Sequence, residues 1–145
     1  MYEWRLGELD GFTGTIVKVD LTKEKVVKEN PGESFYRKWL GAYGVGARVV
    51  YDGTKPGVNA LGPDNVLGLT TGVLTGTPAL FSGSFTAVGK SPLTGYWGEA
   101  RAGGFFGREL KQAEYDDVFF YGRASKPTYV MIKDNEVSLH DAGAL

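Results

Sequence analysis

From Thr13 to Leu21 the apolar residues Ile16, Val17, Val19 and Leu21 are interleaved with polar ones, which predicts a strand. Thr22 to Lys25 reads as a turn, and Val26-Val27 begins a return strand, so the two make a hairpin. The period then changes. Asn30 suits a helix cap, Pro31 the first helical position, and Glu33 lies three residues after the cap. Phe35, Trp39, Leu40 and Tyr43 follow at helical spacing, interrupted by Gly41, Gly44 and Gly46. The spacing predicts one helix near 32–40 and a second over about 44–51, before a Gly- and Pro-rich loop at 53–65. Val66 to Thr71 is a short apolar strand, followed by a turn-rich passage through Ser82. Phe85 to Gly89 is another strand, closed by Ser91 to Gly95. Gly103 to Glu114 reads as a glycine-fronted helix with Phe105, Phe106 and Leu110 on one side. Val118 to Tyr121 is a strand, and Thr128 to Ile132 with Glu136 to Leu139 forms a hairpin across Asp134-Asn135. Strands outnumber helices and hairpins dominate, so the predicted class is α+β with largely antiparallel sheet.

Length and composition narrow this picture. A chain of 145 residues, 42% hydrophobic and 23% charged, suits one domain with one sizeable core. A net charge of −1 gives no bulk electrostatic case for nucleic acid or an acidic membrane surface. The absence of cysteine removes disulfides, zinc–thiolate sites and a Cys-ligated iron–sulfur cluster from this chain. The opening Met1 to Phe12 lacks the basic start and apolar run of a signal peptide. No run approaches the ~20 apolar residues of a membrane span. The expected location is cytoplasmic. Glycine is the outlier, with 22 residues punctuating apolar segments. That argues for tight turns and close backbone approaches.

Several familiar sites are missing. There is no P-loop, and Gly44-Val45-Gly46 lacks the third glycine of a dinucleotide fingerprint. His140, the single histidine, reads as a half-exposed strand residue rather than part of a triad. The acid pairs Asp116/Asp117 and Glu8/Asp10 read as solvated element edges. What remains is Thr70 to Gly107, dense in glycine and hydroxyls, with only Lys90, Glu99 and Arg101 charged. Gly103-Gly104 opening a helix would leave bare N–H groups for an anion, with Lys90 and the hydroxyls helping to hold a polar cofactor. The same glycines serve equally well if they only make turns and let a helix pack on a sheet.

That segment resembles the aldehyde:ferredoxin oxidoreductase family. The matching pieces are Trp39 to Ala47, Thr75 to Pro78, Lys90 to Gly95 and Gly103 to Lys111, followed by Tyr115-Asp116 and Gly122 to Pro127. Val17 to Thr22 fits the family's first strand. Each piece is weak alone, but the ordered set is specific and runs over nearly the whole chain. The resemblance implies an amino-terminal domain, residues 1–145, of a larger multidomain enzyme. In it two largely antiparallel sheets with a few short helices form the base for a tungsten, sometimes molybdenum, ion held by two pterins. It also implies that the remaining domains of the same enzyme supply a [4Fe–4S] cluster, which this chain cannot ligate. The full enzyme would oxidise an aldehyde to a carboxylic acid and pass electrons to ferredoxin.

Three family positions carry across to this chain as cofactor-binding candidates, and none as catalytic or metal-ligating. Ser84 stands where the family usually has an arginine bridging cofactor and cluster. Arg101 stands where the family usually has an asparagine whose backbone contacts pterin and magnesium. Gly103, of the Gly-Gly turn, is retained. A serine cannot make an arginine's charge-assisted contacts, while Arg101 restores a positive charge from the neighbouring loop. Glu114 stands where the family usually has glycine, and it adds strain if the backbone there takes positive φ. The isolated chain is expected to be inactive. The alternative is a non-catalytic binding or assembly module that keeps the fold without the cofactor. An apolar, glycine-lined face would also favour self-association into a homo-oligomer.

Overall fold

The computed structural model describes residues 11–145. The Glu8/Asp10 pair lies outside the described residues. The first strand, β1 (Ile16–Asp20), is buried on both sides: Ile16 points to one face, Val17 and Val19 to the other. It pairs antiparallel with β2 (Lys25–Glu29), as the hairpin pattern predicts. Its other edge carries β6 (Asp117–Tyr121), a parallel neighbour with Ile16 opposite Asp117. The remaining strands are β3 (Leu67–Thr71), β4 (Phe85–Lys90) and β5 (Trp97–Ala102). The sheet runs β2-β1-β6-β3-β4-β5, antiparallel except at β1–β6. A separate hairpin joins β7 (Thr128–Lys133) to β8 (Glu136–Asp141).

Two helices cover one face. These are α1 (Glu33–Trp39) and α2 (Tyr43–Gly53), close to the predicted spans. Val45, Val49 and Val50 of α2 pack with Tyr36, Ile16, Val66, Val88 and Phe119. The glycine in the first turn of α2 has a steric reason. A Cβ on Gly44 would lie 1.9 Å from the Trp39 carbonyl oxygen, so no other residue fits that turn. The opposite face is covered by α3 (Phe106–Gln112) and the β7–β8 hairpin. There Leu110 and Tyr115 join Val17, Val19 and Val118, with Val130, Ile132, Val137 and Leu139 packed against them. Burying these side chains stabilises by roughly 1.5–3 kcal/mol each. The α+β class with two sheets and short helices is therefore the observed one.

The differences from the sequence pattern are local. The predicted helix over 103–114 is only α3; Gly104, at φ 108, keeps the preceding residues out of the helix. The edge strand β5 had no predicted counterpart. Glu114 does take positive φ, 67°, the strain anticipated at a position where glycine is usual.

Candidate functional site

Three strand ends line up across the sheet. Thr71 closes β3, Phe85 opens β4 opposite it, and Ala102 closes β5 opposite Phe85. Ser84, Arg101 and Gly103 cluster at this end. The Arg101 guanidinium donates from Nε and Nη2 to the Ser84 hydroxyl at 3.2 and 2.8 Å. Ser84 is fixed from behind, because its carbonyl accepts from the Thr75 hydroxyl at 3.0 Å. The Thr75 hydroxyl also accepts the Gly72 N–H at 3.1 Å, closing the base of the loop between β3 and β4.

The two loops meet at glycines. A Cβ on Gly83 would sit 3.0 Å from the Gly104 carbonyl oxygen, so a side chain there pushes the loops apart. By contrast, nothing lies within 4 Å of a Cβ built on Gly103 or Gly104. Their backbone faces open space, so packing within this domain does not require glycine there through crowding. Around them Leu80, Phe81 and Phe105 are 85%, 95% and 76% exposed. The end of the sheet is thus an exposed apolar rim around bare backbone, with one cation in its floor. No acidic partner of Arg101 occurs among the described residues. Lys90 is at the far end of β4, where its ammonium donates to the Val58 carbonyl at 2.7 Å, so it takes no part in this cluster.

The acid pair Asp116/Asp117 corrects the solvated-edge expectation. Both are buried, 2% and 1% exposed, beside the same end of the sheet. Asp116 accepts the N–H groups of Thr13, at 2.9 Å, and Gly14, at 2.8 Å, and pairs with Lys111 Nζ. Asp117 Oδ1 accepts the Thr71 N–H at 3.0 Å. Its Oδ2 has no hydrogen-bond partner among the described residues, and neither has the buried Tyr36 hydroxyl. Burial, then the charge of Asp116, pushes the Asp117 carboxyl up to about 8. Burial and the same two carboxylates push the Tyr36 hydroxyl far above the usual tyrosine range. Sequence reasoning missed this pair because the donors that accommodate it lie in distant segments. Tyr115-Asp116 was quoted only as a family match.

His140 sits half-buried on β8, stacked on Tyr129 at 5.1 Å, with Nε2 2.8 Å from the Ser138 hydroxyl. No group of three or more His, Cys, Asp or Glu among the described residues is placed to hold a metal ion. No helix among them is long and apolar enough to cross a membrane.

This is a three-layered α+β domain, a sheet covered on both faces, with an open glycine-lined end. Residues 16–145 match the family described as aldehyde ferredoxin oxidoreductase, N-terminal domain, and the chain belongs to that family. It is 41% identical over 132 residues to the tungsten-containing aldehyde ferredoxin oxidoreductase of Pyrococcus abyssi, covering 91% of this chain and 22% of the relative. The corresponding protein of Thermococcus kodakarensis is 40% identical over 135 residues, with 93% and 22% covered. The aliphatic sulfonate oxidoreductase, WOR-like subunit, of Pyrococcus furiosus is 34% identical over 135 residues, with 90% and 21% covered. Among solved structures, the active-site complex BamBC of benzoyl coenzyme A reductase bound to 1,5-dienoyl-CoA superposes with a TM-score of 0.88 at 32% identity. That match covers 91% of this chain and 20% of the other. The chain spans about a fifth of the length of these relatives.

Proposed function

We propose that residues 1–145 form the cofactor-base domain of a tungsten-dependent, or molybdenum-dependent, aldehyde oxidoreductase. In that enzyme a bis-pterin cofactor rests on the open end of the sheet. The Gly103-Gly104 backbone lets a flat polar ring approach without a Cβ in the way. Arg101, held by Ser84, supplies a positive charge for an anionic group of the cofactor. The observation that carries this reading is the Arg101–Ser84 bond beside Gly103, a glycine that neither crowding nor a positive φ within the domain requires. The residues present fit such a group: an exposed cation without an acid partner among the described residues, bare N–H groups, and an apolar rim that other domains would cover.

When bound, the cofactor supplies the redox chemistry that takes an aldehyde to its carboxylic acid. Electrons would leave through a [4Fe–4S] cluster held by the remaining domains and pass to ferredoxin. This chain orients the cofactor and contributes no cluster ligand. The reading places the full enzyme in the cytoplasm. Alone, these residues are expected to bind cofactor weakly and to turn over no aldehyde. Metal analysis of the chain expressed with tungstate and pterin-synthesising machinery tests it, alongside a viologen-coupled aldehyde assay. Retained tungsten that falls on Arg101→Ala, without turnover, supports the reading; robust turnover refutes the fragment role. A non-catalytic assembly module is the second reading, favoured by serine in place of arginine at position 84. It predicts no retained metal or pterin even when this domain is joined to its remaining domains.

A further inference from the structure

The turn-rich chain between β3 and β4 is pinned at Thr75, which is 7% exposed. Its hydroxyl is used twice. It accepts the Gly72 N–H at 3.1 Å and donates to the Ser84 carbonyl at 3.0 Å, so the two bonds together fix its rotor. Its methyl group has a third neighbour. A Cβ on Gly107 would lie 3.0 Å from Thr75 Cγ2 and 3.3 Å from the Ser84 carbonyl oxygen. The start of α3 therefore closes over the Thr75–Ser84 bond, just after the Gly103-Gly104 turn. One buried side chain thus touches both halves of the open end. Through Ser84 it reaches Arg101, and through Gly107 it reaches the helix that follows the glycines.

We propose that Thr75 is a positioning residue: its hydroxyl sets Ser84, and Ser84 sets the Arg101 guanidinium beside the Gly103 backbone. This assignment rests on the cofactor-base role of the open end, and it names what holds the charge there in place. Arg101 is exposed, and a free arginine spreads over many rotamers that a ligand must give up on binding. Two donors on one serine hydroxyl, Nε and Nη2, orient the guanidinium before any ligand arrives. That hydroxyl is only as steady as the backbone carrying it. Ser84 stands directly before β4, whose pairing with β3 begins at Phe85, so the bond from Thr75 is what holds its carbonyl from behind. Valine keeps the shape of threonine, and with it the contact on Gly107, but removes both hydrogen bonds. Serine keeps the hydroxyl and removes the methyl. The two substitutions therefore separate the hydroxyl's role from packing.

The first readout is the Arg101 Nε–H, followed by nitrogen-15 NMR on the purified chain and identified by its loss in Arg101→Lys. Its exchange with water is expected to rise about tenfold in Thr75→Val, as for a lost hydrogen bond, and to stay near the wild-type rate in Thr75→Ser. Ser84→Ala should free the same proton while leaving the Thr75 bond in place, and adding Thr75→Val to it should change nothing further. Should valine prevent folding, Thr75→Cys keeps a weak donor and acceptor at the same place and is expected to raise the exchange by an intermediate factor. The second readout is tungsten retained in the cofactor-loaded preparation, which should fall on Thr75→Val in the wild-type background and not in Arg101→Ala. An Arg101 Nε–H indifferent to the loss of the Thr75 hydroxyl overturns the proposal. So does a tungsten loss of equal size with and without Arg101, which would leave Thr75 a residue of loop stability alone. Tungsten content that ignores Arg101→Ala fails the cofactor reading instead, and the exchange rates still decide the role of Thr75.

Discussion

Asp117→Asn is the substitution whose outcome follows most directly from the structure. In the unfolded chain this carboxyl ionises near 3.8, whereas in the fold it holds its proton to about 8. Between those values the native state carries one more proton than the unfolded state. Stability contributed by the protonated group is complete below about pH 4 and is lost as pH rises towards 8. The slope is about 1.4 kcal/mol per pH unit, so the loss across the window reaches about 6 kcal/mol, a large part of a small domain's stability. Asparagine keeps the acceptor for the Thr71 N–H and removes the titration. Its amide brings donors into a buried place, at a cost of roughly 1–3 kcal/mol. The wild type should therefore be the more stable near pH 4.5, and the variant the more stable by pH 8.5. Urea unfolding at intervals across that range reads the crossover. The exposed carboxyls Asp20 and Asp141 are lowered by their lysine and backbone partners, so their contributions vanish only on acidification, below this window. A wild-type stability flat from pH 5 to 8, or an equal pH slope in both proteins, would refute the reasoning.

Other outcomes follow from single contacts. Glu114→Gly relieves a positive φ and should raise stability by about 1 kcal/mol, less the exposed bond from Asn135 to its carboxylate; thermal unfolding measures this. Lys111→Met leaves the buried Asp116 carboxylate without its cation and should cost roughly 3 kcal/mol in urea. Gly44→Ala meets the Trp39 carbonyl and should abolish cooperative folding, whereas Gly103→Ala meets nothing and should change stability by under about 0.5 kcal/mol. If Gly103 serves ligand approach, that same neutral alanine lowers retained tungsten in a cofactor-loaded preparation; unchanged metal content would return the glycine to a turn-making role.

The elements that the chain's pattern announced are those whose apolar residues recur at a regular spacing. Helix α2 shows its spacing because it packs against one layer, and β1, buried on both faces, shows as the apolar cluster Ile16, Val17 and Val19. The strand β5 did not announce itself, because a Trp-Gly-Glu-Ala-Arg-Ala edge is exposed on most of its length and has no alternation to read. The burial of Asp116 was equally hidden. Its charge is accommodated by N–H groups from Thr13 and Gly14, a hundred residues earlier, and a local sequence window contains neither. At the candidate site, Ser84, Arg101 and Gly103 were singled out by their departure from or agreement with a family pattern. That Arg101 lies against Ser84 depends on the β4–β5 register, which only the fold supplies.

The parallel pairing of β1 with β6 has a consequence for the order of events as the chain is made. The first hairpin emerges early, but its long edge stays unpaired until residues 117–121 have been synthesised. At ribosomal rates of about 5–20 residues per second, that is a wait on the order of 5 to 20 seconds. During it Val17 and Val19 lack both the β6 neighbour and the layer that covers them. Closing so distant a contact makes folding slow relative to a helical bundle of this size. A nascent chain stalled before Asp117 should therefore be the form that chaperones hold and proteases cut, and full cover comes only once β7 and β8 have followed.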